Sequence, residues 1–148
     1  MKVHEVMARD VETVRPGQSI KEVAQRMDRQ GIGCFPVCNK DGLVGIITDR
    51  DITCRLVADA GDPVTAKVRD IMSEAVTCCG EDDELAAAVA LMERHRIRRI
   101  PVLDRQERLV GILSLSDIAQ KAPHRLTAAL VEAVSREGPL SVTLRRQR

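Results

Sequence analysis

Leu109-Val110-Gly111-Ile112-Leu113-Ser114-Leu115-Ser116-Asp117-Ile118 decides how the chain is read. An apolar run broken by one glycine and closed by Ser-x-x-Asp predicts a buried strand that turns into a helix. The pattern occurs twice, the earlier copy being Leu43-Val44-Gly45-Ile46-Ile47-Thr48-Asp49-Arg50-Asp51-Ile52. The residues upstream match as well: Met7 corresponds to Met72, Val11 to Val76, Ile20 to Leu85, Met27 to Met92, Ile32 to Ile97 and Pro36-Val37 to Pro101-Val102, each pair 65 positions apart. Gly45 and Gly111, like Asp51 and Asp117, lie 66 apart, so one residue is inserted in the loop after Val37 or its counterpart. A solenoid needs about three or more units to bury a continuous core. Two copies instead predict two half-modules that close on each other.

Each half reads as β-α-β-β-α, an α+β fold. In the first half, Val11-Glu12-Thr13-Val14 is a short strand stopped by Arg15-Pro16-Gly17. Ser19 is an N-cap, with Glu22 three residues on to complete a capping box. Ile20, Val23, Ala24 and Met27 then form one buried helical stripe, ended by Gly31. Residues 32–38 are a strand carrying Pro36, which is tolerated only where its missing N–H is not needed. Asn39-Lys40-Asp41-Gly42 is a hairpin turn, 43–47 the next strand, and a helix runs from Thr48 to about Asp59. In the second half, 68–72 lead in and 76–79 are the short strand. Leu85, Ala88, Val89 and Met92 repeat the stripe, 97–103 and 109–113 are strands, and a helix starts at Ser114. After Ala122-Pro123, the spacing of Leu126, Leu130, Val131 and Val134 predicts one more amphipathic helix, closed by Gly138-Pro139, with disorder expected at Arg145-Arg146-Gln147-Arg148. The expected division is repeat 1 over 1–62, repeat 2 over 63–122, and a C-terminal helix and tail over 123–148.

Composition removes several functions. With 23 basic and 22 acidic residues among 148, the net charge of +1 gives no field to recruit nucleic acid or an anionic membrane. One Phe and no Trp or Tyr supply no platform for stacking single strands. No apolar run approaches the roughly 20 residues of a membrane span, and Met1-Lys2-Val3-His4-Glu5 leads straight into the repeat without a secretory pattern, so a cytoplasmic location is expected. Cys34, Cys38, Cys54, Cys78 and Cys79 have no Cys-x-x-Cys spacing, and His4, His95 and His124 are far apart. These cysteines are expected to be small buried residues rather than metal ligands.

Ile97-Arg98-Arg99-Ile100-Pro101-Val102-Leu103-Asp104, followed by Gly111 to Ile118, resembles the signature of a cystathionine-β-synthase (CBS) domain, and residues 32–52 resemble a second copy. The resemblance runs from Val3 to about Ala119. The whole is similar to small free-standing two-CBS proteins of bacteria, some of them stress- or hypoxia-associated. It implies a pseudo-two-fold unit, the Bateman module, that forms a homodimer and binds adenosine nucleotides in clefts between the repeats. Without an output domain, a signal would pass to a separate protein partner.

Thr48-x-x-Asp51 and Ser114-x-x-Asp117 fit that implication chemically. Each hydroxyl sits at a helix start, where free N–H groups favour phosphate, while each carboxylate suits the paired hydroxyls of a ribose. The base would lie among aliphatics, and the resemblance puts it against the segments ending at Pro36 and Pro101 and the leading strands near Asp10 and Ala75. The same motif is also a plain helix cap worth about 1 kcal/mol. Spacing alone favours the cap, and duplication within a CBS frame favours binding. Arg98 and Arg99 precede the second proline where Gly33 and Cys34 precede the first, so the Asp117 cleft is expected to hold ADP or ATP better than the Asp51 cleft, whose local cation is Arg50. Arg94 and Arg96 read as a solvated face. No Ser-His-Asp, Cys-His or paired-carboxylate set gathers around a common motif, so the expectation is a non-catalytic sensor with no metal and no cofactor beyond a regulatory AMP-, ADP- or ATP-like ligand. The alternative is a dimeric, stress-associated interaction protein with vestigial, ligand-free clefts, a reading that Gly33 and Cys34 favour.

Overall fold

A computed structural model of the chain describes residues 1–136. It falls into two compact units, one made of Glu12–Val76 and the other of Met1–Val11 together with the chain from Thr77.

The Glu12–Val76 unit contains α1 (Ile20–Gln30), the antiparallel pair β1 (Cys34–Asn39) and β2 (Gly42–Thr48), α2 (Asp49–Asp51) and α3 (Val68–Ile71). Ile20, Val23 and Met27 of α1 are buried as their spacing predicts, against Phe35, Val37 and Ile47. Ser19 accepts from the Glu22 N–H at 3.2 Å, but the return half of the expected capping box is not made. The Glu22 carboxylate accepts instead from the Gln18 amide at 3.5 Å. Gly31 ends α1 at φ 64°, and Gly42 turns the hairpin at φ 119°, both values that favour glycine. The strand expected over 11–14 is reduced to one parallel bridge, Val14 to Val37, because Pro16 and Gly17 cut the extended run short. The long helix expected after Thr48 is α-helical only through Asp51 and continues as a π-helical stretch, Ile52–Val57.

The other unit holds a 3-10 turn (Val3–Glu5), β3 (Cys79–Gly80), α4 (Leu85–His95), β4 (Arg99–Leu103), β5 (Leu109–Ser114), α5 (Leu115–Lys121) and α6 (His124–Ser135). Its sheet order is β3-β4-β5, with β3 parallel and β5 antiparallel to β4. β3 is shorter than the expected 76–79 and displaced by a residue, since the Gly80 N–H is taken by the Asp83 carboxylate at 2.7 Å and the chain turns there. Leu85, Ala88, Val89 and Met92 pack α4 on the sheet, and Leu130 and Val134 anchor α6 in the same core. The expected end of α6 at Gly138-Pro139 and the tail beyond it lie outside the described residues.

Sequence repeats and packing units do not coincide. Ala8 pairs with Ile112 of β5 through reciprocal bonds of 2.9 and 3.0 Å, and Gly111 is needed there because a Cβ would meet the Met7 sulfur at 2.6 Å and the Ala8 carbonyl oxygen at 2.9 Å. In the Glu12–Val76 unit, Ser73 pairs with Ile46, and a Cβ on Gly45 would meet the Met72 sulfur at 2.8 Å. The segment leading into each sequence repeat therefore covers the last strand of the other one. Residues 1–11 belong with the second copy and 63–76 with the first, whereas the division at residue 62 follows the repeat along the chain.

Candidate functional site

The register of one hairpin assembles the site. Arg99 faces Ser114 across β4 and β5, and the Leu115 N–H donates to the Arg98 carbonyl at 2.9 Å, which fastens the start of α5 to the front of β4. Arg98 and Arg99 therefore stand beside Ser114 and Ser116. Together they open onto a cavity of about 490 Å³ completed by Leu115 and Ala119 of α5 and by Thr127 and Val131 of α6. Pockets of roughly 300–1,000 Å³ suit small-molecule ligands. Both guanidiniums are exposed, and neither pairs with a carboxylate among the described residues.

Ser114 and Asp117 close a capping box on their own helix. The Asp117 N–H donates to the Ser114 hydroxyl at 3.1 Å, and one Asp117 oxygen accepts from the Ser114 N–H at 3.0 Å and from its hydroxyl at 2.6 Å. Asp117, Asp10 and Pro101 do not line the cavity; Pro101 is buried within β4, and Asp10 is exposed. Thr48 and Asp51 make the same reciprocal pair, at 3.1 and 3.0 Å, with Arg55 3.7 Å from Asp51.

Around that first cap the surroundings differ in sign. Gly33, which corresponds to Arg98, lies under the Asp49 carboxylate, whose nearer oxygen would be 2.8 Å from a Cβ at residue 33. The Asp49 N–H donates to the Gly33 carbonyl at 2.9 Å, and its carboxylate accepts from the Arg50 N–H at 2.9 Å. Arg50 and Ala75 are exposed, and Pro36 is buried in β1. A carboxylate stands where the other copy carries a guanidinium.

Of the residues singled out in the sequence, Arg98, Arg99 and Ser114 line this cavity, whereas the α6 wall was not expected. Thr127 and Val131, four apart on a helix, share one face, and that spacing is the signal that could have been used. Of the cysteines expected to be buried, Cys34 and Cys79 are, Cys38 and Cys78 are half-buried, and Cys54 is exposed; among the described residues no three His, Cys, Asp or Glu groups come together as possible metal ligands. Burial pushes the Cys79 thiol up to about 12, with Asp83 and Cys78 adding to the effect, so it is held protonated. No described helix is long and apolar enough to cross a membrane.

The family model for the CBS domain matches residues 3–58 and 68–124. The chain belongs to the CBS-domain family. It is 31% identical over 131 residues to hypoxic response protein 1 of Mycobacterium tuberculosis, covering 88% of this chain and 91% of that one. The crystal structure of that hypoxic response protein, with two coordinated zinc ions, superposes with a TM-score of 0.75 over 83% of this chain and 100% of the solved one. The CBS domain pair of MJ0100, solved in complex with 5′-methylthioadenosine and S-adenosyl-L-methionine, has a TM-score of 0.71 at 29% identity, covering 81% of this chain and 98% of that one. Inosine-5′-monophosphate dehydrogenase of Methanocaldococcus jannaschii is 40% identical over 121 residues, 81% of this chain but only 23% of the enzyme. The likeness to that enzyme is thus confined to a minor part of it.

Proposed function

We propose that the chain is a non-catalytic regulatory module of the cytoplasm that binds an adenine nucleotide of the AMP, ADP or ATP kind and, as a homodimer, signals to a separate protein partner. The observation that carries this reading is the cavity at the start of α5, where Arg98 and Arg99 meet two serine side chains and no carboxylate among the described residues pairs with them. Guanidiniums bind phosphate through paired, charge-assisted bonds. In a chain without Trp or Tyr the nucleoside must be held by aliphatic contacts, which Leu115, Ala119 and Val131 supply. The ligand acts by favouring the arrangement it binds more tightly, so its regulatory effect is bounded by that difference in affinity.

The adenosine ligands of the MJ0100 pair support an adenosine-bearing class. Two arginines further favour phosphorylated ligands over the cationic S-adenosylmethionine. Calorimetry and thermal shift across AMP, ADP, ATP, S-adenosylmethionine and NAD test the proposal. ADP or ATP is expected to raise the melting temperature most, and the paired change Arg98→Ala with Arg99→Ala to weaken binding by about tenfold or more. No shift with any of the five at millimolar concentration, or unchanged affinity in the double variant, would remove it.

A second reading, a stress-associated interaction protein without ligand, draws on the two closed capping boxes and on Asp49 lying over Gly33. It is favoured by a dimer that persists in solution while every nucleotide fails to bind.

A further inference from the structure

We propose that α6 is the base-reading wall of the pocket, with Thr127 and Val131 against the purine while Arg98 and Arg99 hold the phosphate. This rests on the nucleotide reading above and adds to it the element that sets selectivity. The family match ends at residue 124, and α6 spans His124–Ser135, so this wall lies almost wholly outside the shared domain.

Three observations converge on it. The cavity lining is divided, with cations and serine side chains contributed by the β4 and α5 starts and aliphatic surface by Leu115, Ala119 and Val131. The Thr127 hydroxyl oxygen is buried without a hydrogen-bond partner among the described residues, although a helical threonine ordinarily bonds a carbonyl one turn back. That carbonyl, on Pro123, accepts from the Leu126 N–H at 3.0 Å. Buried polar groups are nearly always paired, and rotation about χ1 exchanges the threonine hydroxyl and methyl, so the hydroxyl can be turned to a ligand in the cavity that Thr127 lines. Val131 is 43% exposed although its neighbours Leu130 and Val134 are buried. The core does not use this valine, and the cavity does. A hydroxyl can donate to a ring nitrogen or accept from an exocyclic amine, which fits the polar edge of a base held between aliphatic side chains.

Calorimetry with AMP, and with ribose 5-phosphate as the ligand lacking a base, tests the assignment on the full chain. Thr127→Val is expected to weaken AMP by about five- to tenfold and leave ribose 5-phosphate unchanged, with Thr127→Ser restoring the wild-type value. Val131→Asp, at an exposed position that need not disturb folding, is expected to weaken AMP further. If AMP affinity stays within twofold in both Thr127→Val and Val131→Asp while Arg98→Ala with Arg99→Ala loses it, the α6 assignment falls and the nucleotide reading stands. If the wild-type chain binds none of AMP, ADP and ATP, both fall; if it binds ADP or ATP but not AMP, the same variants are compared with that nucleotide, and unchanged affinity in Thr127→Val and Val131→Asp overturns the α6 assignment alone. A change in melting temperature on Thr127→Val with no change in AMP affinity assigns the residue to the fold alone and also overturns the proposal.

Discussion

Asp117 holds its own helix before it can hold anything else. One oxygen accepts from both the N–H and the hydroxyl of Ser114, so the motif that suggested a ribose contact is already satisfied as a cap. The two roles separate experimentally. Asp117→Ala is expected to lower stability by about 1 kcal/mol through loss of the cap, and also to weaken nucleotide binding if the carboxylate's other oxygen reaches the ribose. Melting and calorimetry on the same variant check this, and lost stability with unchanged affinity makes Asp117 a capping residue only. Asp49 carries the matching lesson for the first copy. Its carboxylate over Gly33 puts negative charge where the other copy carries Arg98, which is the physical ground for expecting a phosphate to bind less tightly at the first copy.

The β4–β5 hairpin sets the register on which the cavity depends, and its turn is built on one carboxylate. Asp104 accepts from the N–H groups of Gln106 and Arg108 at 2.8 and 2.9 Å and from the Arg108 guanidinium at 2.8 Å. The Arg108 N–H above all, with its side chain and the Gln106 N–H, holds the Asp104 carboxyl below the ordinary carboxylate range. A carboxyl whose folded pKa is depressed contributes stability that is present above its unfolded pKa of about 4 and is lost as pH falls through the folded one. Asp104→Ala is therefore expected to melt lower than wild type at neutral pH, with the gap narrowing once the pH drops below about 4. A gap independent of pH would mean that the turn is held by other means. The β1–β2 turn uses Asn39, whose amide oxygen accepts from the Asp41 N–H at 2.8 Å, and Gly42. That corner has no equivalent carboxylate cage and should not share the acid sensitivity.

For the molecule as a whole, the exchanged leading segments matter most. Val3, Val6 and Met7 are buried in the core formed by Leu85, Ile100 and Leu113, about 80 to 110 positions away along the chain. Losing a buried side chain of this size costs about 1–5 kcal/mol, so three together rival the roughly 5–15 kcal/mol total of a small domain. Deleting residues 1–8 is accordingly expected to unfold the unit that contains α4 and β5. Hydrogen exchange should show their amides losing protection before those of α1 and β1. Protection lost first in α1 and β1 would contradict the exchange.

Much of this was legible along the chain. Helical stripes such as Ile20, Val23 and Met27, the caps at Ser19, Thr48 and Ser114, and the duplicated Gly-x-x-Ser/Thr-x-x-Asp are relations across three to seven residues. Backbone geometry fixes such relations locally, so pattern is enough to read them, and the CBS family with them. Other features were not legible. Met7 and Met72 have equivalent local sequences, and nothing near either says which strand it will cover, because that depends on contacts between residues far apart in sequence. For the same reason the stripe of Leu126, Leu130, Val131 and Val134 announced a helix without announcing that Val131 would be left out of the core and, with Thr127, wall a cavity beside Arg98. Short-range geometry wrote the elements; long-range packing chose their partners and, with them, the pocket.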